Sequence, residues 1–280
     1  MAVFDLNKTA NDHMIIVAHR GVAGGNIPCN TAVAYEIALM QGADMIETDV
    51  SMTKDGVLCI FHPRMERSHL AKDVHIDEMT WDEVKELRFV NYDRTVTQFG
   101  LMTFDELLDR FKGRCYINVD KFWDHPKEIY EAIKAHGMID QVVVKSALSD
   151  EVLNVLREVA PELPFMPVVK NTHPKHKELM ESGINYIGAE VLFDTEDAEV
   201  ASDEFIDMMH RDGKLVWVNS IIYSYKKQLS GRHSDDTALS ESMDKGWGWL
   251  ADKKFDLIQT DWPLMLREYL ISVDKYSKLK

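Results

Sequence analysis

The chain has 280 residues, 45% of them hydrophobic, which is enough to bury a sizeable core. Its formal net charge of −15 at pH 7 repels polyanions, so nucleic acid and anionic membrane surfaces are poor general partners. An anionic substrate would need local cations or a metal at its binding site.

The sequence also bears on compartment and domain organisation. The N-terminus lacks a signal-peptide pattern, and no apolar segment approaches the ~20 residues that span a bilayer, so we expect no stable membrane insertion. Cys29, Cys59 and Cys115 form no CxxC pair, which predicts reduced thiols in a cytoplasmic protein. The length permits one large domain or two smaller ones. Because no linker or repeat separates the halves, a single domain over 1–280 is favoured.

Short β-rich runs alternate with helical patterns along the chain. Thr80, Thr103 and Ser149 fit helix N-caps, and Pro263 fits the first position of a final helix. Eight βα units predict an α/β fold, a (β/α)₈ TIM barrel, with 63–100 as a small insertion after the second strand. The eight strands are expected at 14–19, 43–50, 114–120, 141–146, 164–169, 185–191, 214–219 and 255–261.

Polar side chains recur where these apolar strands end. Each one alone has an ordinary reading, because a strand-end carboxylate often caps the next helix and a lone histidine often satisfies a local hydrogen bond. Together, at the carboxyl ends of barrel strands, they predict an active site at the barrel mouth. They are His19, Arg20, Glu47, Asp49, Asp120, Lys145, Glu190, Asn219 and Asp261.

The dipeptide Asp55-Gly56 lies between two β-rich runs and signals a hairpin. If these two residues form a type I′ loop, Asp49 lies directly opposite His62, with Cβ atoms roughly 5 Å apart. Side chains alternate along a strand, so Glu47 shares the face of Asp49. We therefore expect two carboxylates and an imidazole on one patch. The opposite face would be core, made of Ile46, Val50, Met52, Cys59 and Phe61.

The pattern VAHRG, followed by CNTAVAYEIALMQGADMIETDVSMTKDGVLCIFH, resembles the signature of the glycerophosphodiester phosphodiesterase family. The match is specific from Val17 to His62. It continues more loosely through GLMTFDELLDRF and YINVD to LIQTDWP, and so covers nearly the whole chain. The resemblance implies a TIM barrel that uses a divalent metal to hydrolyse small glycerophosphodiesters to glycerol 3-phosphate and an alcohol.

The resemblance carries over residue by residue. His19 and His62 match the two catalytic histidines, and Glu47 and Asp49 match two metal-ligating carboxylates. Asp120 falls where the family usually has a glutamate as third ligand, and its shorter side chain would move the metal slightly or admit an extra water. These oxygen ligands favour Mg²⁺ or Ca²⁺ over zinc. One imidazole would act as base and the other as acid, in an order that the sequence leaves open.

The phosphate-binding residues follow the family less closely. Arg20 matches the arginine that contacts phosphate. Pro63 follows the second histidine where the family has aspartate, and Phe122 stands at the usual lysine position. Lys121 on an extended chain would point away from Asp120. Lys145, at the end of the next strand, is therefore the candidate for that positive charge.

Several alternatives stay open. The substrate could be a lysophospholipid or a sugar phosphodiester, and a non-catalytic barrel that binds a phosphorylated ligand is a third possibility. The nucleophile is either the substrate's own 2-hydroxyl, as the resemblance implies, or water. The polar segment from Ser220 to Gly246 is either a substrate cover or an unstructured excursion. The sequence does not determine the oligomeric state.

Overall fold

The structure, a computed structural model, describes residues 4–276, which contain eleven β-strands. The strands are β1 (Ile15–Ala18), β2 (Met45–Met52), β3 (Leu58–Ile60), β4 (Tyr116–Asp120), β5 (Val142–Ala147), β6 (Phe165–Lys170), β7 (Gly188–Leu192), β8 (Leu215–Asn219), β9 (Ile222–Ser224), β10 (Lys227–Gln228) and β11 (Leu257–Thr260).

The same residues form twelve α-helices. None of these helices has the length and apolar content that crossing a bilayer requires. They are α1 (Leu6–Asp12), α2 (Ala32–Met40), α3 (Glu66–His69), α4 (Trp81–Val84), α5 (Phe104–Phe111), α6 (Pro126–Ala135), α7 (Asp150–Val159), α8 (His176–Met180), α9 (Asp203–Arg211), α10 (Asp235–Ser240), α11 (Trp249–Asp252) and α12 (Pro263–Ser272).

Eight parallel strands close into a barrel. The order around the barrel is β1, β2, β4, β5, β6, β7, β8 and β11, and it closes because β1 pairs with both β2 and β11. A ninth strand, β3, lies outside the barrel and pairs antiparallel with β2. The predicted (β/α)₈ barrel is confirmed, and each predicted strand overlaps an observed one.

Local signals start the helices where the sequence predicts. Thr80 and Thr103 each form a capping box with the glutamate three residues later. Ser149 accepts a hydrogen bond from the backbone of Val152, and Pro263 is the first residue of α12. Ser149 and Pro263 lie two and three residues after the ends of β5 and β11, so these two signals also fix where the loops at the barrel mouth end.

Side chains alternate between the two faces of each barrel strand and so form two apolar layers. Ile15 and Val17 face the barrel interior with Trp217, whereas Ile16 and Ala18 pack outward against the helices. The N-terminal segment packs against the interior layer through Phe4, Leu6 and Ala10. The amino ends of the strands are therefore covered by apolar contacts, and polar side chains collect at the carboxyl ends.

The predicted two-residue Asp55-Gly56 loop is wrong, because the turn contains three residues, 54–56. Thr53 and Val57 form the closing pair, with the Thr53 backbone N–H donating to the Val57 carbonyl at 3.0 Å. The Thr53 hydroxyl accepts from the Val57 N–H at 3.0 Å and donates to the Asp55 carboxylate at 2.6 Å. Gly56 adopts φ +85°, as a three-residue hairpin turn requires. These side-chain hydrogen bonds favour the longer turn.

The extra loop residue shifts the hairpin register by one. Asp49 lies opposite Phe61, whose N–H donates to the Asp49 carbonyl at 3.0 Å, and not opposite His62 as predicted. A one-residue shift moves every side chain of one strand to the other face. Ile60 therefore joins the core between barrel and helices, whereas Cys59 and Phe61 pack in a separate apolar cluster with the insertion, beside Leu70, Ile76, Val84, Phe89 and Leu101.

We expect Gly56→Ala to lower the free energy of unfolding by about 1–2 kcal/mol, because an L-residue at φ +85° is strained. The added Cβ would meet no atom within 4 Å, so sterics contribute nothing to the loss. Gly24→Ala is the matched control, since Gly24 has equally open space and no positive φ. Urea denaturation of both variants measures the difference, and equal midpoints would contradict the turn geometry.

Candidate active site

A cavity of about 250 Å³ opens at the carboxyl ends of the barrel strands. Most of the predicted site residues line it, and Asp49 is fully buried in contact with two of the lining residues, Arg20 and His62. The predicted residues on the lining are His19, Arg20, Glu47, His62, Asp120, Lys145, Glu190 and Asn219. The structure therefore brings together, at the barrel mouth, side chains that are up to 200 positions apart in the chain, from 19 to 219.

Strand geometry brings three carboxylates together. Glu47 and Asp49 lie two residues apart on β2 and so share a face, and Asp120 is the direct partner of Asp49 on β4. One oxygen from each carboxylate lies within 4.8 Å of the others. Burial, followed by the charge of Asp49, raises the pKa of Glu47 to about 7. The positive groups of the protein therefore do not fully neutralise the negative charge of these carboxylates.

This trio has the features of a site for a hard cation. Its ligand atoms are all carboxylate oxygens, which Mg²⁺ and Ca²⁺ prefer. Oδ1 of Asp49 is buried and lacks a hydrogen-bond partner among the described residues. Within residues 4–276, no other group of three potential metal-ligating side chains is so arranged. The residues present therefore fit a divalent metal.

Arg20 holds the first two carboxylates in place. Its backbone N–H donates to Oε2 of Glu47 at 2.9 Å, and its Nε lies 2.9 Å from Oδ2 of Asp49. Asn30 donates to that same Asp49 oxygen at 2.9 Å. Burial acts to lower the pKa of Arg20, but the charges of Asp49 and Glu47 outweigh it, so the guanidinium stays charged. Its two terminal nitrogens form no hydrogen bond within the described chain and can meet an anion.

Hydrogen bonds fix the tautomers of both histidines. Nδ1 of His19 lies 2.9 Å from Oδ1 of Asp261, and because a carboxylate only accepts, Nδ1 carries the hydrogen. Nδ1 of His62 donates to the Pro63 carbonyl at 2.8 Å in the same way. Neither Nε2 forms a hydrogen bond to any described residue. Both rings can therefore exchange a proton through Nε2. Because Pro63 stands where an aspartate was expected, a backbone carbonyl orients the His62 ring.

The pKa of His19 differs from that of a free imidazole. Burial acts to lower its pKa, but the hydrogen bond to Asp261 and the charges of Glu47 and Asp261 outweigh burial. The net pKa of His19 is raised, because negative groups on two sides stabilise the imidazolium.

Asp235 supports this arrangement and was missed by sequence reasoning. Its Oδ2 accepts the backbone N–H of Asp261 at 2.8 Å, and its Oδ1 accepts from Ser220, Trp247 and Thr260 at 2.6–2.8 Å. Asp235 is buried, at 3% exposure. In the sequence it is only an acidic residue in the first turn of a short helix, which is the place where acidic residues are common.

The segment between Ser220 and Gly246 is structured. It forms β9, β10 and α10, and Asp235 ties it to the end of β11. Tyr223 lines the cavity, so the segment also covers part of the mouth. The prediction that this segment is an unstructured loop is therefore wrong.

Lys121 lies in the site, and the expectation that it points away from Asp120 is wrong. Its backbone is left-handed, with φ 65°, so the side chain turns back toward the mouth. Nζ lies 2.7 Å from Oδ2 of Asp120 and 4.0 Å from Oδ1 of Asp49. Burial opposes the charge on Lys121, but Asp120 and Asp49 raise its pKa. Phe122, at the usual lysine position, is buried in the core instead.

Lys145 also lines the cavity but is held by a buried ion pair. Its Nζ lies 2.6 Å from Oε2 of Glu190 and donates to Oε1 of Gln259 at 3.3 Å. The same nitrogen lies 4.1 Å from the centre of the Trp217 ring. Two lysines, not one, therefore bring positive charge to the barrel mouth.

Comparison with known proteins agrees with this geometry. The sequence profile of the Glycerophosphoryl diester phosphodiesterase family matches residues 19–220. A glycerophosphodiester phosphodiesterase from Bacillus subtilis is 28% identical over 185 residues, which cover 59% of this chain and 62% of the relative. An uncharacterised Bacillus subtilis protein, YqiK, is 29% identical over 157 residues, 53% of this chain and 63% of that protein. The chain therefore matches less than two thirds of either relative's length.

Solved structures share the fold over nearly the whole chain. A glycerophosphoryl diester phosphodiesterase from Parabacteroides distasonis has a TM-score of 0.78 at 20% identity, covering 98% of this chain and 97% of that one. An Oleispira antarctica phosphodiesterase, in complex with the product sn-glycerol-3-phosphate, has a TM-score of 0.68 at 18% identity, covering 92% and 97%. The predicted resemblance is confirmed, and this chain belongs to the glycerophosphoryl diester phosphodiesterase family.

Proposed function

We propose that this chain hydrolyses small-molecule glycerophosphodiesters to glycerol 3-phosphate and an alcohol. The observation that carries the proposal is the convergence of three carboxylates, two imidazoles and an arginine at one barrel mouth. Membership of the family supports the reaction class. The Oleispira phosphodiesterase was solved with glycerol 3-phosphate, which is the product expected here.

We further propose that Glu47, Asp49 and Asp120 hold one divalent cation, Mg²⁺ or Ca²⁺. The unpartnered Oδ1 of Asp49 and the raised pKa of Glu47 support this assignment. When bound, such a cation neutralises phosphate oxygens and lowers the pKa of a coordinated hydroxyl.

The remaining residues have roles in binding and proton transfer. Arg20, Lys121 and Lys145 surround the phosphate with fixed positive charge. Nε2 of one histidine, His19 or His62, takes the proton of the attacking hydroxyl or water, and Nε2 of the other donates a proton to the departing alkoxide. The three free thiols, two of them buried, support the cytoplasm as the compartment of the reaction.

Glycerol 3-phosphate release from glycerophosphocholine, glycerophosphoethanolamine and glycerophosphoglycerol tests the proposed function. We expect turnover that EDTA abolishes and that Mg²⁺ or Ca²⁺ restores. Failure to turn over any of these diesters, with either metal present and the chain folded, would overturn the proposal.

Asp49→Asn is expected to abolish activity and divalent-metal binding while the barrel stays folded. Asparagine can still accept from Asn30 through its carbonyl oxygen, but it supplies no negative charge to a cation. Calorimetric titration with Mg²⁺ and with Ca²⁺ measures metal binding, and circular dichroism checks that the barrel is folded. Asp124→Asn is the control, because Asp124 is an exposed carboxylate in the loop after β4. Wild-type metal affinity in Asp49→Asn would contradict the assignment.

Lys121→Met is expected to lower kcat by about 10²–10³-fold, because a fixed charge beside developing negative charge stabilises the transition state by roughly 3–4 kcal/mol. Lys127→Met removes an exposed lysine from the neighbouring α6 and serves as the control. Steady-state kinetics on glycerophosphocholine measures the effect. Equal kcat values in the two variants would remove Lys121 from the site.

Lys145→Met is expected to lower stability as well as turnover. Glu190 would keep a buried charge without its partner, which typically costs about 3–5 kcal/mol. The double variant Lys145→Met/Glu190→Gln should recover most of that stability but not the activity. Chemical denaturation and kinetics on both variants check this, and full recovery of activity in the double variant would show that Lys145 does not act on phosphate.

A further inference from the structure

We propose that a buried cluster outside the active site is an acid-sensitive switch that releases helix α8 from helix α9 as the pH falls. The cluster, here called the acid switch, consists of His173, His176, Tyr186 and Asp212. It lies between α8, α9 and the chain that enters β7, away from the lining of the active-site cavity. This inference goes beyond the proposed phosphodiesterase function, and the experiments that test it use no substrate.

A continuous chain of hydrogen bonds joins the four side chains of the acid switch. The carboxylate of Asp212 only accepts, so Nε2 of His176, 2.8 Å from its Oδ2, carries a hydrogen. Nδ1 of a neutral His176 is then an acceptor, and the Tyr186 hydroxyl donates to it at 2.9 Å. The same hydroxyl oxygen accepts from Nε2 of His173 at 3.0 Å. One arrangement of hydrogens therefore satisfies every contact in the chain while both imidazoles are neutral.

The second nitrogen of the His173 ring has no place for a proton. His173 is only 4% exposed, and its Nδ1 is buried without a hydrogen-bond partner among the described residues. In the neutral ring Nδ1 is an unused acceptor. A proton there would bury a positive charge together with a donor that has no acceptor, which is far less favourable. The folded chain therefore resists protonation of His173.

The groups around His173 supply no direct negative partner for a proton on its ring. The centre of the His176 ring lies 5.6 Å from that of His173, and the centre of the Phe205 ring lies 6.3 Å away. The charge of Asp212 reaches His173 only across the His176 ring. Titratable and charged groups face the cluster from α8, from the chain before β7, from the end of α9 and from the chain before β8, and they are His176, Tyr186, Asp212 and Lys214.

The pKa of His173 follows from this environment. Burial, followed by the charge that His176 can carry, lowers the pKa of His173 to about 4, whereas an exposed histidine titrates near 6.5. As the pH falls below about 6.5, the unfolded chain binds this proton before the folded chain does, so the free energy of unfolding decreases until about pH 4. Above about pH 6.5 the ring is neutral in both states and adds no pH dependence. Burial also raises the pKa of Tyr186, so its hydroxyl keeps its hydrogen throughout this range.

Helix α8 is the element that protonation would release. His176 is its first residue, and Asp212 is the residue that ends α9, so the acid switch connects the two helices. Helix α8 has only five residues, and a helix this short draws little stability from its own hydrogen bonds. Loss of the hydrogen-bond chain should therefore open α8 before the barrel strands separate.

The loop between β6 and α8 connects the acid switch to the barrel mouth. Asn171, two residues before His173, donates through Nδ2 to Oδ2 of Asp194 at 2.9 Å, and its Oδ1 accepts the Asp194 N–H at 3.0 Å. The neighbouring Phe193 N–H donates to the carbonyl of Leu229, in the segment that follows β8, at 2.9 Å. Release of α8 should therefore also loosen the loop that follows β7.

Urea denaturation of the full chain at pH 7 and at pH 5 tests the acid switch. His173→Gln keeps an N–H that can reach the Tyr186 hydroxyl but has no group that titrates in this range. Between pH 7 and pH 5 the unfolding equilibrium constant should rise about 20-fold more in the wild type than in His173→Gln, as follows from pKa values of about 6.5 and about 4. His75→Gln, at an exposed histidine of the insertion, is the matched control and should keep the wild-type pH dependence.

Two measurements on the wild-type chain locate the effect. The NMR signals of the His173 ring should report a neutral imidazole with its hydrogen on Nε2 at pH 5. Amide hydrogen exchange, corrected for the intrinsic effect of pH, should increase at pH 5 in 171–182 and in 193–200, while exchange in α12 stays slow. In His173→Phe, which keeps an aromatic ring beside Phe205 and removes the proton site, the increase should disappear.

Three results would overturn the acid switch. One is the same pH dependence of unfolding in the wild type and in His173→Gln. Another is a His173 ring that titrates near pH 6.5 while the chain stays folded. The third is hydrogen exchange that rises equally in α8 and α12, because that would show unfolding of the whole barrel and not release of one helix. All of these measurements omit substrate, so a negative result leaves the proposed phosphodiesterase function standing.

Discussion

Mutual repulsion among three carboxylates, two buried and one half-buried, is the constraint on which the rest of the site depends. Two unit charges about 4 Å apart repel by roughly 4 kcal/mol at an effective dielectric constant near 20. The barrel places Asp120 directly beside Asp49, with Glu47 on the same face, so this repulsion is built into the strand register. The backbone and guanidinium of Arg20 and the ammonium of Lys121 offset part of it. The uncompensated remainder favours a cation at this position, which is the physical basis of the proposed metal site.

Much of the fold and most of the site could be predicted because both follow from short-range periodicity. The strands alternate or are wholly apolar, and the caps at Thr103 and Ser149 are local, so eight βα units were recognisable from the sequence. In a parallel barrel every strand ends at the same mouth, which is why His19, Glu47 and Asp120 could be grouped without knowing any distance.

The features that escaped prediction depend on single backbone angles or on contacts between distant segments. The hairpin register was wrong by one residue because the Thr53 hydroxyl bonds across the turn and favours three loop residues over two. Lys121 was placed outside the site because nothing in its neighbours signals a left-handed φ at a non-glycine residue. Asp235 was missed because its four hydrogen bonds come from residues between 15 positions before it and 26 after it.

Asp235 makes the orientation of His19 depend on the connection between β8 and β11. The segment after β8 folds back so that Asp235 receives four donors, one of them the backbone of Asp261, whose carboxylate holds His19. Connections between strands can open locally at lower free energy than a whole barrel unfolds. Local opening of this connection would remove the support of Asp235 for Asp261, and so release the His19 ring, while the eight strands stay paired. Warming should therefore inactivate the protein reversibly at temperatures below its melting transition.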